Sequence, residues 1–161
     1  MPRVQGRGLH QTKPGRTVPN YDGPMDAGLV EDLKKVFVSG PSVRFAILFG
    51  SHARGTERPD SDVDVAIEPA DGGLGLDEEM ELIGLLERAV SKSVDLVRVG
   101  DLKAGVRWRV ARDGIVLVSN PPWAASRFLA RCGIEHDENL DLEAEASRRF
   151  RARLLAAGST D

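Results

Sequence analysis

The chain has 161 residues, which suits one domain with its own core and is too short for two ordinary domains. Its composition, 41% hydrophobic and 29% charged, is that of a soluble globular protein and excludes a disordered or fibrous one. The formal net charge is −3, but residues 1–24 carry four basic residues against Asp22, so the remainder is acidic, which argues against general nucleic-acid binding.

Two further features bear on where the protein works. No apolar run approaches the roughly 20 residues that a bilayer-spanning helix needs. The single cysteine, Cys132, excludes an internal disulfide and argues against a cysteine-based metal cluster. We therefore expect a cytoplasmic protein that has no membrane association.

Changes in composition divide the chain into three predicted regions. Residues 1–24 are rich in Gly and Pro and show no periodicity, which predicts a flexible basic extension. Residues 25–120 alternate apolar runs with amphipathic stretches and form the main predicted domain. Residues 121–161 are predicted to form a C-terminal helical tail.

The predicted elements follow from two kinds of pattern. Helices are assigned where apolar residues recur at helical spacing, and strands where short apolar runs stop at Gly, Pro or Ser. The helices cover residues 26–38, 77–92, 101–112, 122–132 and 142–157, with the polar segment 135–141 as a linker. The strands cover residues 43–50, 62–69, 93–99 and 114–119. This order predicts an α/β (α+β) fold with helices packed on a small mixed sheet.

The second predicted strand contains two acids, Asp62 and Asp64, separated by one valine. Side chains alternate along a strand, so both acids share one face, while the apolar residues between and after them pack on the core. Two neighbouring carboxylates repel each other, and a divalent cation such as Mg²⁺ would remove the conflict. The alternative is an acidic edge that faces solvent.

Two other features favour a ligand site over an acidic edge. Gly50 and Ser51 follow the first strand, where a glycine lets the backbone approach a ligand and exposed donors bind phosphate readily. A third acid, Asp95, lies in the otherwise apolar strand 93–99. The combination predicts a phosphate-binding turn beside three carboxylates that can hold two metal ions.

The motif "GS", ten residues, then "DVD" resembles the signature of the polymerase-beta-like nucleotidyltransferases. The fuller segment "GSHARGTERPDSDVDVAI" is similar to the minimal, single-domain members of that superfamily. Those members often serve as the antitoxin of a paired operon whose toxin has a HEPN domain. The resemblance covers roughly residues 26–118 and implies the polymerase-beta-like fold.

The resemblance also implies roles for individual residues. Gly50 and Ser51 would hold the triphosphate of ATP, and Asp62 and Asp64 would coordinate two Mg²⁺ ions. Asp95 would bind the metal nearer the attacking hydroxyl and help to deprotonate it. An acceptor hydroxyl would then attack the α-phosphorus of ATP and release pyrophosphate. Arg54 either meets a phosphate or is a solvated loop cation.

Three functions are compatible with these residues. The first is an antitoxin that adenylylates, and so neutralises, a partner HEPN toxin. The second is an antitoxin that neutralises its partner by binding alone. The third is a small-molecule adenylyltransferase of the aminoglycoside-modifying type, although residues after 118 form only a short substitute for the helical acceptor domain of those enzymes.

Three residues near or outside the motif receive ordinary structural interpretations. His52 has no histidine partner at ligand spacing and is expected to be a loop histidine. Trp108 and Trp123 could stack on adenine, but both occur in apolar settings, so we expect them to pack in the core.

Overall fold

The computed structural model describes residues 26–157, except for the side chains of residue 150 and residues 152–157. The predicted extension, residues 1–24, lies outside the described residues. In chain order the elements are α1 (Ala27–Ser39), β1 (Val43–Phe49), α2 (Gly50–Arg54), β2 (Val63–Pro69), α3 (Leu76–Val90), β3 (Val94–Arg98), a 3₁₀ turn (Val99–Asp101), α4 (Ala104–Asp113), β4 (Ile115–Ser119) and α5 (Ala124–Ala157).

The start of α1 shows how closely local chemistry sets these bounds. The carboxylate of Asp26 accepts hydrogen bonds from the backbone N–H groups of Gly28 and Leu29, at 3.0 and 3.1 Å. It therefore caps two of the N–H groups that a helix start leaves without a partner. The helix buries four apolar side chains on one face, at the spacing that the sequence predicts: Leu29, Val30, Leu33 and Phe37.

The four strands form one mixed sheet in the order β3-β2-β1-β4. β1 runs antiparallel to both β2 and β4, whereas β2 and β3 run parallel. The end of β1 therefore lies beside the beginnings of the other three strands. We call this edge the acidic end of the sheet, because Asp62, Asp64 and Asp95 lie there.

Helices cover both faces of the sheet. One core cluster joins α1 and α3 to β2 through Val63, Val65 and Ile67, the apolar face that the sequence predicts. The other cluster joins α4 and α5 to the opposite face, where Ala66 and Phe45 lie. This mixed sheet, covered by helices on both sides, confirms the predicted α/β fold.

The carboxy-terminal part of the described chain differs from the prediction. The expected linker at residues 135–141 is wrong, because α5 is one helix from Ala124 to Ala157. The linker segment contains no proline, and its acidic and amide side chains lower helix propensity by only a few tenths of a kcal/mol each. Arg131 and Glu135 also form an i,i+4 ion pair of 3.3 Å, which supports the helix where this segment begins.

The two halves of α5 have different surroundings. Its first turns pack on the domain, with Ala124, Ala125 and Cys132 buried and the Phe128 ring 5.2 Å from that of Phe45. The side chains of residues 137–149 are all exposed. Within residues 26–157, no helix combines the length and the apolar character that membrane spanning requires.

Candidate active site

The strand register brings the motif residues together at the acidic end of the sheet. Phe49, the last residue of β1, pairs with Asp64 of β2, and Asp64 pairs in turn with Asp95 of β3. Neighbouring strands are about 4.8 Å apart, so Asp64 lies between the end of β1 and Asp95. Asp62 precedes β2 by one residue. Residues that are distant in sequence thus meet at one edge, as the sequence predicts.

Gly50 allows the chain to turn tightly beside Asp64. Its φ is +75°, which lies in the left-handed region that favours glycine. A Cβ atom at this position would overlap with Oδ2 of Asp64. Glycine is therefore required for two reasons, its positive φ and the lack of space for a Cβ atom. Without a side chain at Gly50, the backbone just before Ser51 lies directly beside the Asp64 carboxylate.

The three acids repel one another. Asp64 is half-buried, and burial raises its pKa, with further increases from the negative charges of Asp95 and Asp62. His52 and Arg54 offset part of this increase. Asp62 and Asp95 are exposed. The acidic end is therefore electrostatically unfavourable without a bound cation, which is the situation that a metal ion relieves.

The donor set suits a hard divalent cation in kind. Carboxylate oxygens are the ligands that Mg²⁺ prefers, and Mg²⁺ is commonly held by one or two carboxylates together with waters and substrate phosphates. Within the described part of the chain, no three His, Cys, Asp or Glu side chains are grouped so that they could hold a metal ion by themselves. The residues thus fit a metal whose coordination is completed by substrate, and not an all-protein metal cage.

Arg54 is more firmly held than a solvated loop cation would be. It belongs to the short helix α2, and its Nη1 lies 3.8 Å from Oδ2 of Asp113, whose side chain is only 1% exposed. Arg112 donates two hydrogen bonds of 2.6 Å to the same carboxylate. Asp113, the last residue of α4, therefore links α4 to α2. In the sequence, only its position directly before Gly114 and a strand points to Asp113, and that signal is weak.

His52 is not the loop histidine that we expected. It lies in α2 with only 4% of its surface exposed, and its Nε2 is 3.2 Å from the backbone oxygen of Ser61. This contact ties α2 to the residue directly before Asp62. Spacing alone did not indicate it, because α2 is only five residues long and too short to show helical periodicity.

The two tryptophans also differ from each other. Trp108 is partly buried and stacks on the His136 ring, with centroids 4.1 Å apart and planes 10° from parallel. Trp123 is 50% exposed, so the expectation that it packs in the core is wrong. Its position just before α5 places it at the surface at the end of β4.

Comparisons with known proteins agree with this geometry. Residues 31–122 match the sequence model of the family described as Polymerase beta, Nucleotidyltransferase. A segment of 65 residues is 35% identical to a Methanocaldococcus jannaschii protein, MJ1379, named as a candidate protein adenylyltransferase. That match covers 40% of this chain and 65% of the relative, so the chain spans just under two thirds of the relative's length.

Similar solved structures come from toxin–antitoxin complexes. A chain in a crystal structure of a toxin–antitoxin with AMP-PNP is 25% identical, with a TM-score of 0.57 over 76% of this chain and 98% of that one. A chain in a mutant of the toxin–antitoxin MntA–HpeT is also 25% identical, with a TM-score of 0.55 over 76% and 95% of the two chains.

A third structure shows the same fold at lower identity. It contains a tri-AMPylated Shewanella oneidensis HEPN toxin in complex with an MNT antitoxin. The matched chain is 22% identical, with a TM-score of 0.52 over 77% of this chain and 98% of that one. The family model, the fold and the motif geometry lead to one conclusion: the chain belongs to the polymerase beta nucleotidyltransferase family.

Proposed function

We propose that this chain is a metal-dependent nucleotidyltransferase that moves AMP from ATP onto a partner HEPN toxin and thereby acts as its antitoxin. The observation that carries the proposal is the meeting of Gly50 and Ser51 with Asp62, Asp64 and Asp95 at one edge of the sheet. In this proposal residues 25–120 form the transferase domain. A nucleotide-binding turn beside repelling carboxylates is the minimum equipment for phosphoryl transfer.

Each residue has a proposed role that follows from its position. Ser51, at the start of α2, offers its hydroxyl and N–H to the triphosphate, and Gly50 lets the phosphates approach the backbone. Arg54, which Asp113 holds near the acidic end, would contact a phosphate oxygen. Asp62, Asp64 and Asp95, together with the triphosphate and water, would hold two Mg²⁺ ions. When bound, these ions supply positive charge to the reacting phosphate and lower the pKa of the attacking hydroxyl.

The proposed reaction is an in-line displacement. The oxygen of an acceptor hydroxyl forms a bond to the α-phosphorus of ATP, and the bond between that phosphorus and the bridging oxygen of pyrophosphate breaks. The hydroxyl proton passes to Asp95, the outermost carboxylate, and then to solvent. The products are a phosphodiester-linked AMP on the acceptor and free pyrophosphate.

Support for a protein acceptor comes from the relatives and from the shape of the chain. One similar structure is a toxin–antitoxin with AMP-PNP, an ATP analogue, and one relative is named as a candidate protein adenylyltransferase. The exposed side chains of residues 137–149 on α5 also form a surface that a partner could cover. A hydroxyl presented by a bound partner would need no acceptor domain within this chain.

The test is a transfer assay with ATP labelled on its α-phosphate, Mg²⁺ and a HEPN toxin encoded beside this chain. We expect label on the toxin, and none when the chain carries Asp62→Ala and Asp64→Ala together. An Asp71→Ala variant is the matched control, because Asp71 is an exposed acid in the loop after β2. A tight complex without label transfer would contradict the enzymatic part of the proposal.

A second candidate is an antitoxin that acts by binding alone. The observation that favours it is the length of the exposed part of α5, since a binding function needs that surface and not the acids. Growth of cells that express the toxin separates the two candidates. Rescue by the Asp62→Ala, Asp64→Ala variant would support binding alone, whereas rescue only by the unsubstituted chain would support transfer.

The same assay addresses small-molecule acceptors. Incubation of the chain with labelled ATP, Mg²⁺ and a panel of aminoglycosides, without any protein partner, should give no labelled product. Labelled aminoglycoside would instead place this chain among the small-molecule adenylyltransferases.

A further inference from the structure

The edge of the sheet opposite the acidic end carries a groove of about 550 Å³. It lies where β1 begins and where β2 and β3 end. Five arginines from four elements and one tryptophan line it: Arg44, Arg98, Arg107, Arg127, Arg131 and Trp123. We call it the arginine groove. None of the residues proposed for nucleotidyl transfer lines this groove, so it is a separate site.

Positive charge in the arginine groove is only partly neutralised. Two carboxylates, Glu68 and Asp101, also line it. Arg98 pairs with Glu79, while Arg107 and Arg131 share Glu135 at 3.4 and 3.3 Å.

Two of the five arginines have no carboxylate partner among the described residues. Within residues 26–157, neither Arg44 nor Arg127 forms an ion pair with a carboxylate. In addition, the buried Nε of Arg107 has no hydrogen-bond acceptor among the described residues. Guanidinium groups in a concave site are well suited to phosphate, which accepts two parallel N–H donors.

An aromatic surface lies beside these charges. Trp123 is 50% exposed, and the guanidinium carbon of Arg127 lies over one face of its ring, 5.8 Å from the centre. The groove also has an apolar floor that includes Val99 and Phe128. An exposed indole and neighbouring guanidiniums together recognise nucleotides, because the base stacks on the ring and the arginines contact the phosphate.

We propose that the arginine groove binds a nucleotide, with its base against Trp123 and its phosphate held by Arg127 and Arg44. A volume of about 550 Å³ lies within the range of small-ligand sites, roughly 300–1,000 Å³. The ligand chemistry is a nucleoside phosphate, either free in solution or at the end of an RNA strand. An acidic peptide would use the arginines but would leave the indole without a planar partner, so the nucleotide fits more of the groove.

This site is independent of the proposed transfer reaction, so its test can be made under conditions that prevent nucleotide binding at the acidic end. The full chain is prepared with Asp62→Ala and Asp64→Ala, and binding of AMP is measured without Mg²⁺. Trp108 and Trp123 are the only tryptophans in the chain, so adding Trp108→Phe makes Trp123 the sole source of indole fluorescence. We expect AMP to quench this fluorescence with saturation, because the base covers the ring.

Single substitutions identify the phosphate contacts. Arg127→Gln and Arg44→Gln should each weaken AMP binding about ten-fold, since each removes a charge-assisted hydrogen bond. Arg148→Gln is the matched control and should leave the affinity unchanged, because Arg148 lies in the exposed stretch of α5, residues 137–149. Circular dichroism of each variant checks that the fold is retained.

Further ligands separate the parts and sources of the nucleotide. Adenosine and inorganic phosphate should each bind more weakly than AMP, because each retains only one kind of contact. A 5′-phosphorylated trinucleotide that binds more tightly than AMP would indicate an RNA end, and equal or weaker binding would indicate a free nucleotide. Both results support the proposal.

Several results would overturn the proposal. These are the absence of saturable AMP binding, AMP binding that neither arginine substitution weakens, and a decaglutamate peptide that binds where AMP does not. Calorimetry on the chain that retains both tryptophans answers the same question if Trp108→Phe disturbs the stacking on His136. Saturable heat from AMP, lost in Arg127→Gln, would then be the supporting result.

Discussion

The two ends of the central sheet handle like charges in different ways. At the acidic end, burial and the neighbouring carboxylates raise the pKa of Asp64, and no cation among the described residues forms an ion pair with it. At the arginine groove, three of five arginines are paired with Glu79 or Glu135. The groove thus supplies counter-ions for three of its arginines from within the chain, and within residues 26–157 it leaves Arg44 and Arg127 without one, as the acidic end does for Asp64.

The contrast is sharpest for residues that share a strand. Asp95 and Arg98 both belong to β3 and are three positions apart. Asp95 is exposed at the acidic end, whereas Arg98 bonds to Glu79 and to the backbone oxygen of Leu74 on the opposite side of the sheet. The same short strand therefore provides one exposed carboxylate, which we propose as a metal ligand, and one arginine whose partners lie within the chain.

The largest expected effect comes from removing the acids. The Asp62→Ala, Asp64→Ala variant should lose label transfer to the toxin by at least about a thousand-fold, because it lacks the carboxylates proposed to hold the metal ions that would stabilise the reacting phosphate. The measurement is the initial rate with α-labelled ATP. Asp71→Ala should retain the normal rate, and a similar loss in that control would show that net charge alone is responsible.

A smaller loss is expected when only the spacing at the acidic end changes. Gly50→Ala forces a Cβ atom into Oδ2 of Asp64 and strains a residue at φ +75°. Transfer should fall about a hundred-fold, because displacements near 1 Å at a reacting site have effects of this size. The measurement is the same transfer rate, together with the melting temperature.

Gly73→Ala is a closely matched control for that variant. Gly73 has φ +80°, but nothing lies within 4 Å of the position of its Cβ. Both variants should lose a similar amount of stability from backbone strain, about 1 kcal/mol. Only Gly50→Ala should lose transfer, and equal losses of rate in the two variants would show that overlap with Asp64 is unimportant.

Neutralising one acid should stabilise the protein when metal is removed. Asp64→Asn eliminates the repulsion from Asp62 and Asp95, so in EDTA the free energy of unfolding should rise at neutral pH, by less than about 1 kcal/mol because solvent screens these partly exposed charges. Thermal melts with and without Mg²⁺ provide the measurement. Mg²⁺ should raise the melting temperature of the unsubstituted chain and have little effect on the variant.

Asp71→Asn should behave like the unsubstituted chain in both conditions, because Asp71 is exposed and distant from the acidic end. A lower melting temperature for Asp64→Asn in EDTA would contradict the idea that repulsion among the acids destabilises the metal-free protein. It would mean that a favourable contact stabilises Asp64 and that the repulsion is minor.

The smallest effect is expected from removing a carboxylate that neutralises arginines of the arginine groove. Glu135→Gln removes the carboxylate that Arg107 and Arg131 share, so the free energy of unfolding should fall by about 0.5 kcal/mol. AMP affinity should rise a few-fold, since more positive charge is left for phosphate. Glu145→Gln is the control, because Glu145 pairs with Arg149 in the exposed stretch of α5, far from the arginine groove in sequence. Unchanged AMP affinity in Glu135→Gln would separate these arginines from ligand binding.

Much of the fold can be predicted from the sequence because its signals are local. The alternation along β2 predicts that Val63, Val65 and Ile67 are buried, and all three lie in the cluster with α1 and α3. On the other face of β2, Ala66 is buried as well, against α4 and α5. The capping role of Asp26 follows from its position before an amphipathic run. Gly50 and the three acids also meet as expected, because antiparallel and parallel neighbours bring strand ends and starts together.

The features that the sequence did not predict depend on contacts between distant residues. His52 is buried because α2 folds against the loop that contains Ser61, and five residues are too few to show a period. Asp113 is a single acid whose partner, Arg54, lies far away in the chain. The arginine groove draws its arginines from four separate elements, so no spacing in the sequence indicates it. The linker prediction fails for another reason: polar composition identifies exposure, and exposed residues can be helical.

The continuity of α5 has a mechanical consequence. The exposed stretch of residues 137–149 extends the packed part of the helix by about 20 Å as a rod without a hinge. Anything attached to that rod would be held at a fixed azimuth and distance from the sheet. Inserting one residue near Asp137 would rotate an attached partner by about 100°, whereas inserting seven would nearly restore its angle and move it outward by about 10 Å. The length of the helix would thus set both the distance and the rotation of an attached partner.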